Sequence, residues 1–315
     1  MLEANSTQNI LVQHHLIVIT IPMYNEVKYI ADTLESVSKQ TWTDFKVLIS
    51  DNASTDGSGE ICEAFCKKDD RFHYIRQPVN IGACKNFQFL LDHTESPYFM
   101  WLGAHDLLHP HFLETHLKVM TADKDITLSY SNTQFIDEYG QFQSITNGGK
   151  LADIKGTPYV RYLQSILNLG EYTPINQVIR RDALQNFACQ LTYGSDNMPL
   201  SRLIYLGKIH RHPEALYIAR YWFHSSRDTT EMERSTGDQS AGIDFRKFRR
   251  AYLEDFDKLI FSRKYKWALR IGVMIFLEFR IVWHKYHYNK ELPLISYFIG
   301  LMKRAFRKLG MLRLV

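Results

Sequence analysis

The chain has 315 residues, 45 % of them hydrophobic and 23 % charged, which excludes a disordered or collagen-like polypeptide and allows one large domain with an appendage. The net charge of +4 hides an asymmetry: residues 241–315 hold 17 Lys and Arg against 6 Asp and Glu, so a mildly acidic body carries a strongly basic tail. Four cysteines (Cys62, Cys66, Cys84 and Cys189) make no disulfide framework, and no run of about 18 uncharged apolar residues offers a membrane span. Residues 1–14 read as a flexible polar leader without an apolar signal core, so export is not expected. Leu16 to Ile21 is a short β-branched run ending at Pro22, the pattern of a buried parallel strand. Ile30, Leu34 and Val37 then recur at helical spacing. Phe45 to Ser50 is a second strand. It runs into Asp51-Asn52-Ala53-Ser54-Thr55-Asp56-Gly57-Ser58, a turn-rich loop with helix-capping residue types. A helix through Ile61, Ala64 and Phe65, a strand at 72–75, a helix at 82–92 and a strand at 98–102 follow. This alternation predicts an open, mostly parallel α/β sheet.

Further along, residues 141–175 read as loop-rich around a helix at 158–169. A strand is expected at 178–181, a helix at 196–207 and a strand at 216–222. Residues 227–244 read as a flexible loop, and 245–315 as a helical extension rich in aromatic and basic residues.

Ligands of open α/β sheets bind at the carboxyl ends of the strands. Those ends carry Tyr24-Asn25-Glu26, Asp51-Asn52 and His105-Asp106, more polar groups than a surface needs. Four stretches in order carry a family likeness. They are Ile-Pro-Met-Tyr-Asn-Glu (21–26), Ser-Asp-Asn-Ala-Ser-Thr-Asp-Gly-Ser (50–58), Asn80-Ile81-Gly82 and Leu-Gly-Ala-His-Asp (102–106). Together they resemble the family 2 glycosyltransferases of the GT-A fold, of the bacterial kind that builds surface polysaccharide and lipopolysaccharide. The likeness spans about residues 14–225 and is densest in the first 115. It implies a GT-A domain over 15–226, with a nucleotide-binding half at 15–110 and an acceptor half at 111–226.

The resemblance implies a nucleotide pocket lined by Pro22, Tyr24, Asn25, Glu26, Asp51, Asn52, Lys85 and Ala104. Asp51 would accept the imide N–H of uracil, Tyr24 would lie against the base and Glu26 would bind a ribose hydroxyl. Asp51 or Ser54 could instead only cap the next helix, and Asp56 reads as a buttress of its loop. The family holds a divalent metal against the departing diphosphate through a D-x-D motif. Here that motif reads Leu102-Gly103-Ala104-His105-Asp106, with its first Asp missing and His105 at the metal-contacting position. The expectation is that His105, Asp106 and the late His224 hold Mn2+ or Mg2+. The alternative is that His105 meets the phosphate directly. Asp196, in Gly194-Ser195-Asp196-Asn197, is the expected catalytic base, with a helix cap as its plain alternative.

The resemblance thus implies an inverting, non-processive enzyme. It would move one sugar from a nucleotide-sugar donor, UDP-linked, to a saccharide or lipid-linked glycan. Processive synthesis is disfavoured because Q-x-x-R-W is absent. A degenerate, non-catalytic glycan- or nucleotide-binding protein and a nucleotidyltransferase are the alternatives. The second lacks a Gly-rich phosphate loop after the first strand, and a dehydrogenase would need G-x-G-x-x-G there. Trp267 to Trp283 is apolar except for Arg270, Glu278 and Arg280. It is expected to lie on an anionic membrane rather than cross it, placing the enzyme on the cytoplasmic face. Nucleic acid is not expected as a partner, since no binding motif accompanies the charge.

Overall fold

The computed structural model describes residues 15–147, 149, 151–168, 173–189, 197–221, 245–259 and 266–289. These fall into two compact units. The first holds residues 15–147, 173–189 and 210–221, and the second holds 149–168, 197–209, 245–259 and 266–289.

The first unit is built on a nine-stranded sheet. Its strands are β1 (Ile17–Met23), β2 (Phe45–Asp51), β3 (Phe72–Arg76), β4 (Tyr98–Trp101), β5 (Leu107–Leu108), β6 (Ile126–Ile136), β7 (Phe142–Thr146), β8 (Val178–Arg180) and β9 (Lys208–Arg220). The order is β3-β2-β1-β4-β8-β6-β9-β5, with β7 paired to β6. The β3-β2-β1-β4 half is parallel and β8 enters antiparallel to β4. Helices α1 (Ile30–Ser38), α2 (Ser58–Cys66) and α3 (Ala83–Asp92) connect the parallel strands, and α4 (Phe112–Ala122) precedes β6. β1 lies between two parallel neighbours, so Ile17, Val18, Ile19 and Ile21 are fully buried.

The parallel half follows the sequence reading closely. The later strands do not. β6 is not visible as an apolar run because Ser129, Ser131 and Thr133 are buried within it. Gln177 makes the burial of Ser131 tolerable. Its Oε1 accepts the backbone N–H of Ser131 at 2.7 Å, and its Nε2 donates to the Ser131 carbonyl at 3.2 Å. β7 is an exposed strand in a stretch that reads as loop, and β9 begins eight residues before the strand expected at 216.

The second unit is helical, with α5 (Pro158–Asn168), α6 (Asn197–Leu206), α7 (Phe245–Leu259) and α8 (Lys266–Asn289). The described parts of the basic extension, α7 and α8, are therefore packed within this unit. α7 buries Phe248, Ala251, Tyr252, Phe256 and Leu259. The Tyr162 and Phe256 rings lie 5.4 Å apart, joining α5 to α7. Arg202 of α6 donates to Asp255 of α7 at 2.8 Å, with both side chains nearly buried. α8 buries Val273, Phe276, Leu277 and Ile281, and its Leu269 carbonyl accepts the Tyr159 hydroxyl at 2.7 Å. Among the described residues, no helix is long and apolar enough to cross a membrane.

Candidate active site

Parallel pairing puts the ends of β1, β2 and β4 on one edge of the first unit. Met23 pairs with Asp51, and Thr20 with Trp101. The loops that follow are locked together by side-chain bonds to backbone amides. Asn25 N–H donates to Ser54 Oγ at 2.9 Å, Glu26 N–H to Ser58 Oγ at 2.8 Å and Val27 N–H to Asp56 Oδ2 at 3.0 Å. In return, Thr55 N–H donates to Asn25 Oδ1 at 2.9 Å. Asn25 and Ala53 adopt φ of 55° and 63°, a left-handed conformation uncommon outside glycine. The Ser-x-Asp-x-Ser run is thus a clamp on residues 25–27. Asp56 is a buttress, as expected. Neither Asp51 nor Ser54 caps α2, which begins after Gly57 without a side-chain cap.

Asp51 is fully buried. Its Oδ1 accepts the Ser54 amide at 2.8 Å. Its Oδ2 accepts the Tyr74 hydroxyl and Arg76 Nη1, each at 2.7 Å. Arg76 Nη2 donates to the Ser54 carbonyl at 2.7 Å. Burial, together with the Asp51 bond, pushes the Tyr74 hydroxyl well above its ordinary pKa. The contact needs Gly59, because a Cβ there would stand 2.6 Å from the Tyr74 hydroxyl. Asn52, also buried, ties in the Asn80-Ile81-Gly82 stretch. Its Nδ2 donates to Asn80 Oδ1, and its Oδ1 accepts Ile81 N–H, both at 2.8 Å. Tyr24 is half-buried and Pro22 partly exposed at the end of β1, while Lys85 is exposed in the first turn of α3.

The third strand end joins the first. Thr33 Oγ1 donates to the Ala104 carbonyl at 3.1 Å. His105 Nδ1 lies 3.0 Å from Glu26 Oε1. Glu26 thus stands against an imidazole, a partner the sequence did not suggest. Asp106 is buried; Tyr217 donates its hydroxyl to Oδ2 at 2.6 Å, and Arg220 N–H donates to Oδ1 at 2.9 Å. Burial pushes the Asp106 carboxyl up, against the opposing pull of His105 and these hydrogen bonds.

The expected metal site fits poorly. Both Asp106 oxygens are committed to protein donors, and His105 Nε2 is 4.0 Å from Asp106 Oδ1. Among the described residues, no group of three or more His, Cys, Asp or Glu could hold a metal ion. His224 and Asp196 lie outside the described residues.

Tyr74, Arg76, Tyr217 and Arg220 escaped the sequence reading. Arg76 meets Asp51 through the β2–β3 register, which pairs the two residues. Alternation of Tyr74 and Arg76 on one face of β3 was the available signal. Arg220 and Asp106 are 114 positions apart, and nothing local announces their contact.

The family model for Glycosyl transferase family 2 matches residues 18–187. Glycosyltransferase GlyG of Streptococcus pneumoniae is 30 % identical over 114 residues, covering 36 % of this chain and 38 % of that protein. The putative teichuronic acid biosynthesis glycosyltransferase TuaG of Bacillus subtilis is 31 % identical over 105 residues, 33 % of this chain and 42 % of that protein. The matches thus span well under half the length of these relatives. In structure, S. aureus TarS 1–349 in complex with UDP-GlcNAc superposes with a TM-score of 0.60 at 15 % identity, covering 86 % of this chain and 73 % of that one. The mannosyltransferase PcManGT of Pyrobaculum calidifontis, in complex with GDP-Man and Mn2+, gives 0.50 at 12 % identity, covering 94 % and 81 %. Both likenesses speak for the GT-A fold.

Proposed function

The chain belongs to glycosyl transferase family 2, and on that footing we propose that it is a non-processive, inverting glycosyltransferase. It takes one sugar from a UDP-sugar and passes it to a saccharide or lipid-linked glycan in surface polysaccharide synthesis. The observation that carries this reading is the clamp that holds three strand ends as one polar edge. The UDP-GlcNAc complex of TarS, on the same fold, supports the choice of donor.

In this reading Tyr24 lies against the base ring. Asp51, buried and fully partnered, acts on the base through Arg76, whose half-exposed guanidinium it holds at the rim as a polar contact. Pro22, Asn25, Asn52, Lys85 and Ala104 complete the nucleotide pocket. The clamp removes the entropy cost of ordering loops 24–27 and 52–58 when the donor binds. Glu26 steadies the His105 ring, and the diphosphate lies on the His105 side. Asp196 takes the acceptor proton while the acceptor oxygen attacks the anomeric carbon. The new C–O bond forms as the bond to the diphosphate breaks, and UDP leaves. A Mn2+ or Mg2+ would need His224 beside His105, because both Asp106 oxygens already accept protein donors.

The extension is proposed to rest on an anionic membrane surface. α8 buries one face and leaves Trp267, Ile271, Met274 and Ile275 between 41 % and 68 % exposed on the other. Such an apolar stripe in a strongly basic segment suits the headgroup region. The enzyme would then work at the cytoplasmic face, where lipid-linked acceptors lie.

The test is UDP release from a panel of UDP-sugars. Wild-type protein should release UDP, and Asp196→Asn should lower the rate roughly 10²-fold or more. Near-normal turnover by that variant would remove Asp196 from the role. Absence of UDP release from every donor would remove the activity.

A further inference from the structure

The hairpin of β6 and β7 carries a rigid turn that the nucleotide site does not use. Asp137 builds the turn. Its Oδ1 accepts the backbone N–H of both Tyr139 and Gln141, and its Oδ2 accepts Gln143 Nε2, each at 2.9 Å. Gly140 closes the turn at φ 82°. The turn holds Tyr139 79 % exposed, and Phe142, at the start of β7, is 60 % exposed. Two exposed aromatic residues on so fixed a turn mark an interaction surface.

Arg220 ties this turn to the site. Its Nη1 donates to the carbonyls of Asp137 at 3.2 Å and Glu138 at 3.3 Å. Its Nε donates to the His105 carbonyl at 3.3 Å, and its guanidinium lies 4.6 Å from the Tyr29 ring centroid. Its backbone N–H is the donor that holds Asp106. One side chain thus spans from the His105 loop to the hairpin turn, which makes the turn continuous with the polar edge.

We propose that the 137–142 hairpin is the wall on which the acceptor saccharide docks, with Tyr139 as its stacking platform. The proposal rests on the donor reading above, which puts the sugar diphosphate on the His105 side and so faces the hairpin with the transferred sugar. A pyranose offers a C–H face and a ring of hydroxyls. A tyrosine offers a flat apolar face, a polar tip and only two side-chain rotations to lose on binding. Glu138, beside Tyr139 in the turn, adds a carboxylate acceptor for sugar hydroxyls. A second protein would also cover exposed aromatic residues, but the Arg220 link sets the platform beside the reacting end of the donor.

The experiment measures UDP release from a hydrolysable UDP-sugar, alone and with methyl glycosides of glucose, galactose, mannose, rhamnose and N-acetylglucosamine. The reading is the ratio of glycoside-stimulated release to release by water. In the wild type at least one glycoside should raise it. Tyr139→Ala should cut the stimulated ratio about tenfold or more, the loss of roughly one good contact. Tyr139→Trp, which keeps a stacking face, should retain it. An unchanged ratio in Tyr139→Ala overturns the proposal, as does hydrolysis that no glycoside stimulates. Absence of hydrolysis with every UDP-sugar overturns the donor reading, and this proposal falls with it.

Discussion

A Cβ on Gly103 would stand 2.6 Å from Oδ2 of Asp106. That oxygen is held by the Tyr217 hydroxyl, and its partner oxygen by the Arg220 amide, so the carboxylate has little freedom to yield. The missing first acid of the D-x-D pattern is therefore coupled to where the acid that follows the pattern points. Asp106 turns inward and the chain beside it must be glycine.

Supplying the pattern's first acid by Gly103→Asp should consequently harm the protein. Overpacking of this kind costs about 1–3 kcal/mol, and the new carboxylate adds like charge beside a buried one. The melting temperature should fall, and Mn2+ should not raise it again. A variant that melts like wild type would show that Asp106 can swing away.

Gly59 has the same relation to Tyr74. An added methyl would stand 2.6 Å from the hydroxyl and 3.3 Å from Asp51 Oδ2. Gly59→Ala should displace the ring and disturb the Asp51–Arg76 pair. UDP affinity, measured by calorimetry, should weaken about tenfold or more, while α2 itself gains a better helix former. Unaltered affinity would separate this network from nucleotide binding.

In the second unit, Arg202 and Asp255 form a nearly buried pair. Burial raises the Asp255 carboxyl pKa against the pull of Arg202. Asp255→Ala removes the carboxylate that faces this buried guanidinium from α7, which costs about 3–5 kcal/mol. The double variant Arg202→Met, Asp255→Leu should recover most of that loss in a denaturant titration. If the single variant is as stable as wild type, α7 does not anchor α6 through this pair.

His116 gives the pH dependence a sign. Burial, aided by His212 and His210, pushes its pKa from 6.5 down to about 3. Its Nδ1 lies 2.8 Å from Ser129 Oγ, which in turn lies 3.1 Å from His210 Nδ1. The folded state keeps the ring neutral, while the unfolded chain takes up a proton below its ordinary value. The contribution is complete above about pH 6.5 and is lost as pH falls toward 3, at no more than about 1.4 kcal/mol per unit. Stability measured from pH 7 to pH 5 should fall less steeply in His116→Asn than in wild type. Equal slopes would place the acid sensitivity elsewhere.

The parallel half was legible because its signals are local. Ile17 to Ile21 and Phe45 to Ile49 are apolar over nearly their whole length, as strands covered on both faces must be. β6 was not legible, because its buried hydroxyls find their partners on distant segments: Ser129 on His116 and His210, Ser131 on Gln177 and Thr133 on Thr173. In the basic extension, the described stretches 245–259 and 266–289 are helical, as the sequence reading expects. That its α7 packs on α5 and α6 followed only from complementary surfaces such as Arg202 against Asp255.

The sequence by itself determined the family, the strand-end clusters and the altered metal motif, since each is a short run of residues whose chemistry travels with its order. Tertiary structure decided the partners. It set Glu26 against His105, Asp51 against Tyr74 and Arg76, and Asp106 against Tyr217 and Arg220. Those pairings depend on strand register and on which buried polar atoms must find donors, and both are settled only when distant segments share one low-dielectric interior.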